Sequence, residues 1–250
     1  MSKISVYSIF FSIFFISCSK GIQNNTTEYS PIPINLEMSE VFEESILPPV
    51  IPANNPLTQE GVALGRKLFF DKILSANNTQ ACADCHKPEL AFTDGIQYSI
   101  GIDGIEGSRN AMPIFNLAWN YDEQFFWDGR EFSLERQTFD PIISPIEMHN
   151  DLGNVVEELQ QDNEYPILFE QAFGTSTIDS ILLSKAIAQF ERTIISDNSK
   201  FDQYLLGQSS LSPEEQEGFN IFMDEERGDC FHCHGSQNNP LWTDNKFHNN

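Results

Sequence analysis

The chain has 250 residues, of which 14 are Lys or Arg and 37 are Asp or Glu, so its formal charge is −23. It lacks the surplus of cations that displaces counterions from phosphate, which excludes nucleic acid as a partner. The length suits one large domain or two small ones, and the odd count of five cysteines leaves at least one outside any internal pairing.

Lys3 gives a short positive start, and residues 4–16 form an apolar run closed by Ser17 and Cys18. The run is too short to span a bilayer and fits the central region of a secretory signal. A small residue directly before a cysteine, at the end of such a run, resembles a bacterial lipoprotein signal. Residues 1–17 are therefore expected to be removed, leaving Cys18 as the lipidated first residue. Phe15, where that signal usually has Leu, departs from the pattern. The alternatives are an ordinary signal peptide or an uncleaved anchor. Removal takes one Lys and no acid, leaving 13 cations against 37 acids, or −24. Residues 18–50 read as a flexible tether, polar at first and then rich in proline.

From Leu57 the pattern changes. Val62, Leu64, Leu68 and Phe69 recur at largely helical spacing, with Thr58 as the expected N-cap. Residues 92–113 hold Gly95, Gly101, Gly104 and Gly107 and read as loop. Further helices are expected at about 152–161, 164–172 and 178–195. The last carries Ile178, Ile181, Leu182, Ala186, Ile187, Phe190 and Ile194 on one broad face. Ser212-Pro213-Glu214-Glu215 is a helix start with cap, first-turn proline and capping-box acid. No segment alternates with period two, so the class is mainly α.

A unit also occurs twice. Gly65 to Asp71 (GRKLFFD) precedes Cys82-Ala-Asp-Cys85-His86, and Gly218 to Asp224 (GFNIFMD) precedes Cys230-Phe-His-Cys233-His234. The spacer from Asp to Cys is 11 positions in the first copy and 6 in the second. Each copy ends in C-x-x-C-H, the attachment signature of c-type haem. Two thiols with two residues between them reach two vinyl groups on one edge of the ring, and the next His swings to its face. A redox dithiol would need a βαβ context, which is missing. Four thiolates around zinc, or two short disulfides, would not explain a His after each pair. His86 and His234 are the expected iron ligands. His232 lies within its own attachment loop and reads as solvated. His149, His248, Met38, Met112, Met148 and Met223 remain as candidates for the opposite face, and spacing does not choose among them.

With these motifs in order, from LGRKLFFD and CADCH through FTDG, SRNAMPIFNLAW, FFWDGR, SLERQ and PIEM to LSPEEQ, CFHCH and TDNKFHN, the chain resembles the bacterial di-haem cytochrome c peroxidases. The resemblance runs from about Pro52 to the end. It implies two tandem cytochrome c-like domains, over residues 51–205 and 206–250, with the second incomplete, so that either the sequence is a fragment or the protein is unusual. It implies a peroxidatic first haem and a second haem that receives electrons. By the same resemblance, Trp127 lies between the haems, Gln137 and Glu147 line the peroxide pocket, and Asn110 binds a calcium ion. A carboxylate such as Glu147 is suited to moving a proton between the two peroxide oxygens. Read without the resemblance, Trp127 is a packed aromatic and Glu147 a solvated acid.

One departure is informative. Many members carry a His in the Gly-rich loop that caps the first iron, and Ile102 stands there in this chain. Isoleucine cannot bind iron, so an open first haem is expected, closer to the subgroup containing the methylamine-dehydrogenase-maturing enzyme. The expected activity is that of a cytochrome-c peroxidase. Its expected partners are hydrogen peroxide, a small cytochrome c or copper protein as donor, a membrane met only through the lipid anchor, and a second copy in a homodimer. The expected location is periplasmic. The alternatives are peroxide-dependent oxidation of a protein or organic partner, a non-catalytic di-haem carrier, and a zinc-stabilised binding module.

Overall fold

A computed structural model describes residues 29–235, 239–243 and 246. The signal segment, Cys18 and His248 lie outside these residues. The described residues form helices α1 (Glu40–Ser45), α2 (Gln59–Phe70), α3 (Cys82–Cys85), α4 (Leu134–Gln137), α5 (Phe139–Ile143), α6 (Leu152–Gln161), α7 (Tyr165–Phe173), α8 (Ser180–Arg192), α9 (Lys200–Leu205), α10 (Pro213–Phe222) and α11 (Phe231–His234). Among them, β structure is confined to four isolated bridges. The fold is mainly helical, as composition and period implied.

The caps follow from the sequence. Thr58 Oγ1 accepts the Gly61 amide at 3.0 Å, and Asp179 accepts the Leu182 amide at 2.8 Å. Ser212 and Glu215 form a reciprocal capping box with Pro213 in the first turn of α10. Gly174, at φ 75°, ends α7 in the left-handed conformation that favours glycine.

Helices α2 and α8 cross at the centre. Leu64, Leu68 and Phe69 meet Leu183, Ala186, Ile187 and Phe190 in one apolar core, which α6 and α7 extend with Val155, Leu159 and Phe169. The Phe69 and Phe190 rings lie 5.2 Å apart. Several polar groups beside the crossing are paired. Gln189 Oε1 accepts the Thr58 amide, its Nε2 donates to Asn55 Oδ1, and Asn55 Nδ2 donates to Glu135. Glu135 in turn takes both guanidinium arms of Arg192, at 2.7 and 3.1 Å.

Residues 29–50 do not trail free of this body. Phe42 is fully buried, with its ring edge-on to Trp119 at 5.3 Å, and Tyr29 donates its hydroxyl to Ala172 O. Leu205, Leu206 and Leu241 pack against the same Phe42–Trp119 group. Farther along, Phe201, Phe219, Phe222 and Trp242 form an aromatic cluster that carries α10 and α11.

Candidate functional site

Each C-x-x-C-H lies on a short helix beside the phenylalanine of its own repeat. The Phe69 and His86 rings are 6.4 Å apart at 45°, and the Phe222 and His234 rings are 6.3 Å apart at 50°. The duplication read from sequence is therefore also a duplicated ring packing.

His86 Nδ1 lies 3.0 Å from the Phe92 carbonyl oxygen. A carbonyl only accepts, so Nδ1 carries the proton and Nε2 is left with the lone pair that iron needs. Burial lowers the His86 pKa, against the opposing effect of the Phe92 and Met112 backbone. The ring is thus kept neutral and able to bind metal. Burial also pushes the Cys82 thiol up to about 12 and the Cys85 thiol up to about 11. Thiols held in this form are poor nucleophiles for a redox dithiol, whereas thioether attachment does not require a standing thiolate. Among the described residues, no three or more His, Cys, Asp or Glu side chains converge as a metal site, so the four cysteines do not meet around zinc. The donor set fits haem c. His86 would hold the iron, and Cys82 and Cys85 the ring edge.

The loop and turn beside Cys85 come next. Gln80 Nε2 is 3.5 Å from Cys85 Sγ and donates to Ile100 O at 2.9 Å, which ties the Gly-rich loop to the attachment helix. Ile102 donates its amide to Glu147 O at 2.9 Å. Glu147 follows α5 in a turn closed by its own amide on Ser144 O. Its side chain is solvent-exposed, yet the protein around the carboxyl still desolvates it in part. That desolvation raises its pKa, Arg130 opposes the shift and Asp140 adds to it.

Gln137 is the last residue of α4, is half-buried, and makes no hydrogen bond to Glu147. Trp127 sits in a turn, 46% exposed, with Nε1 donating to Asn110 O at 3.1 Å. The turn is braced by ion pairs from Arg109 to Asp128, Asp128 to Arg130 and Arg130 to Asp140, with the Arg130 guanidinium 3.6 Å above the Phe126 ring. Asn110 is exposed, and its backbone is engaged through Trp127.

Of the undecided candidates, His149, Met38 and Met148 have clear surroundings, as does His232. His149 Nδ1 is 2.6 Å from Asp103 Oδ2, and the His232 ring pairs with Asp229. Met148 is packed in the main core and Met38 against the Phe42–Trp119 group. Sequence reading missed the His149–Asp103 pair, whose partners stand 46 positions apart without a shared motif. It also missed Glu191, which is buried with Oε2 unpartnered. The only signal for Glu191 was an acid inside an otherwise apolar helix face.

A family profile described as di-haem cytochrome c peroxidase matches residues 59–210. The chain belongs to the di-haem cytochrome c peroxidase family. It is 36% identical over 217 residues to the methylamine utilization protein MauG of Methylophilus methylotrophus, covering 86% of this chain and 62% of that protein. It is 35% identical over 191 residues to the cytochrome c peroxidase Ccp of Escherichia coli K12, covering 74% of this chain and 39% of that one. A crystal structure of a MauG-like protein associated with microbial copper homeostasis matches with a TM-score of 0.71 and 36% identity, over 78% of this chain and 57% of the other. The chain spans between 39% and 62% of the length of these curated relatives. Membership implies covalently held haem c and an oxidoreductase lineage, in agreement with the donor sets at His86 and His234.

Proposed function

We propose that the chain carries the peroxide-handling half of a di-haem peroxidase, which reduces hydrogen peroxide to two waters with two electrons and two protons. The observation that carries this reading is the Ile102–Glu147 contact. A residue unable to bind iron is held beside an acid whose pKa is raised by desolvation. Glu147 takes the proton from the inner peroxide oxygen and returns one to the outer oxygen, so that the leaving group departs as water. A raised pKa brings proton uptake and release closer to balance near neutral pH. Gln137 orients the oxygens by hydrogen bonding. When bound, haem supplies the iron and the reducing equivalents. Trp127, exposed at its braced turn, provides an aromatic step toward the second haem site at His234.

The donor is a small periplasmic cytochrome c or copper protein, and the acidic chain suits a basic one. Cys18 provides a lipid anchor, Asn110 one calcium ligand, and residues 51–205 and 206–250 the two haem domains. A homodimer completes the assembly.

A second reading, peroxide-driven oxidation of a protein partner, is favoured by Ile102 and by the likeness to MauG. The two are separated by steady-state oxidation of reduced cytochrome c with peroxide. Rapid turnover supports the peroxidase, and its absence alongside peroxide consumption supports the oxidase. Either reading requires a high-spin ferric signal from the first haem in the oxidised protein. A purely low-spin spectrum rejects both. Ile102→His should convert that signal to low-spin.

A further inference from the structure

The two walls of the peroxide pocket come from distant stretches of the chain. One is the Gly-rich loop of residues 99–107, which carries Ile102. The other is the turn of residues 144–150, which carries Glu147. The turn is fixed from behind, since Met148 O accepts the Ala76 amide at 3.0 Å and Asn150 Nδ2 donates to Leu74 O at 3.2 Å. The loop closes on itself through Gly107 N to Ser99 O at 2.8 Å and Gly101 N to Ile105 O at 3.1 Å.

Three contacts join the walls. Gly101 lies so close that a Cβ there would stand 2.2 Å from Ile146 O. Ile102 donates to Glu147 O at 2.9 Å. The third, between side chains, is His149 Nδ1 to Asp103 Oδ2 at 2.6 Å. Its two residues directly flank the pocket. Asp103 follows Ile102, and His149 is two positions after Glu147. His149 also has φ 49°, in the left-handed region that is uncommon for residues other than glycine.

We propose that His149 is a positioning residue of the peroxide pocket, clamping the loop to the turn through Asp103 and so setting the gap between Ile102 and Glu147. The proposal rests on the peroxidase reading of that pocket. The physical need is specific to this chain. A loop that supplies an iron ligand is tied to the metal, and Ile102 supplies none. The loop's position then depends on contacts with protein, and this pair engages the residue next to Ile102.

The test uses isosteric variants in the haem-loaded chain. His149→Asn keeps an N–H donor where Nδ1 stands, and Asn tolerates a left-handed backbone. His149→Asp tolerates it equally but sets a carboxylate against Asp103. Adding Asp103→Asn to His149→Asp restores a bond with donor and acceptor exchanged. Amide hydrogen exchange at Ile102 should be about threefold faster in His149→Asp, the scale of an exposed pair, and near wild type in the other two. In His149→Asp, kcat for peroxide should fall about tenfold while KM stays within about twofold, and the other two variants should recover it. Equal exchange in all variants overturns the clamp, whatever the activity. Faster exchange with unchanged kcat overturns the positioning role. Loss of peroxide turnover in the wild type, with the exchange pattern intact, rejects the peroxidase reading and supports the clamp.

Discussion

A methyl group on Gly65 would stand 1.8 Å from the carbonyl oxygen of Ala186, so the crossing of α2 and α8 is set by the absence of a side chain at one position. The obstacle is backbone, which cannot swing aside. Gly65→Ala gains about 1 kcal/mol in helix propensity but must push α2 and α8 away from each other, an overpacking cost of about 1–3 kcal/mol or more. The net expectation is a lower thermal midpoint for the haem-loaded protein. Phe69 sits on the same helix and meets His86, so the haem spectrum should broaden in parallel. An unchanged midpoint would show that the crossing can open without strain. Gly218, the matching glycine of the second repeat, meets no atom within 4 Å among the described residues.

Glu147→Gln keeps size and hydrogen bonding but cannot take a proton. Peroxide turnover should fall by about 10²–10⁴-fold while both haems stay attached. The base must be ionised to accept a proton, so kcat/KM should rise with pH through the carboxyl pKa. Desolvation places that limb above the ordinary glutamate value of about 4.3. The variant should lose the limb. Stopped-flow reaction with peroxide across acidic pH checks both points, and a surviving limb would assign the titration elsewhere.

The helices were legible because their signals are local. Thr58 and Ser212 cap where capping chemistry predicts, and α8 follows a period of 3.6. The two C-x-x-C-H motifs were legible because each is contiguous. The pocket walls were not, because Ile102 meets Glu147 through backbone atoms that no residue type announces. The Asp103–His149 pair likewise joins two loops whose separation only the folded chain removes. The packing of residues 29–50 was hidden by their composition, in which Phe42 alone supplies the aromatic that Trp119 receives.

Trp127 is held by one hydrogen bond to Asn110 O while nearly half of it stays exposed. A core aromatic would be buried, so its exposure is better suited to meeting a second redox partner than to filling space. Trp127→Phe should slow electron transfer between the haems while leaving the thermal midpoint within about 1 kcal/mol-equivalent of wild type, as for surface positions generally. Pulse radiolysis or rapid mixing with a reductant of the second haem gives the rate. An equal rate would reduce Trp127 to a brace for the turn.

Glu191 offers a pH test independent of peroxide. It is 6% exposed, and its Oε2 has no hydrogen-bond partner. Arg192 gives it no hydrogen bond, since both arms of that guanidinium are taken by Glu135. Burial pushes the Glu191 carboxyl up to about 8, with Arg192 opposing the shift and Glu135 adding to it. In the unfolded chain the group titrates near its ordinary value of about 4.3. Between those values the native state holds a proton that the unfolded state has lost. Stability therefore falls as pH rises through this window and levels off once the native carboxyl has ionised. Glu191→Gln stays neutral throughout and should lose that slope, matching wild type in acid and exceeding it in alkali. Urea midpoints for both proteins at about pH 5, 7 and 9 give the comparison, and parallel curves would place the slope on other groups.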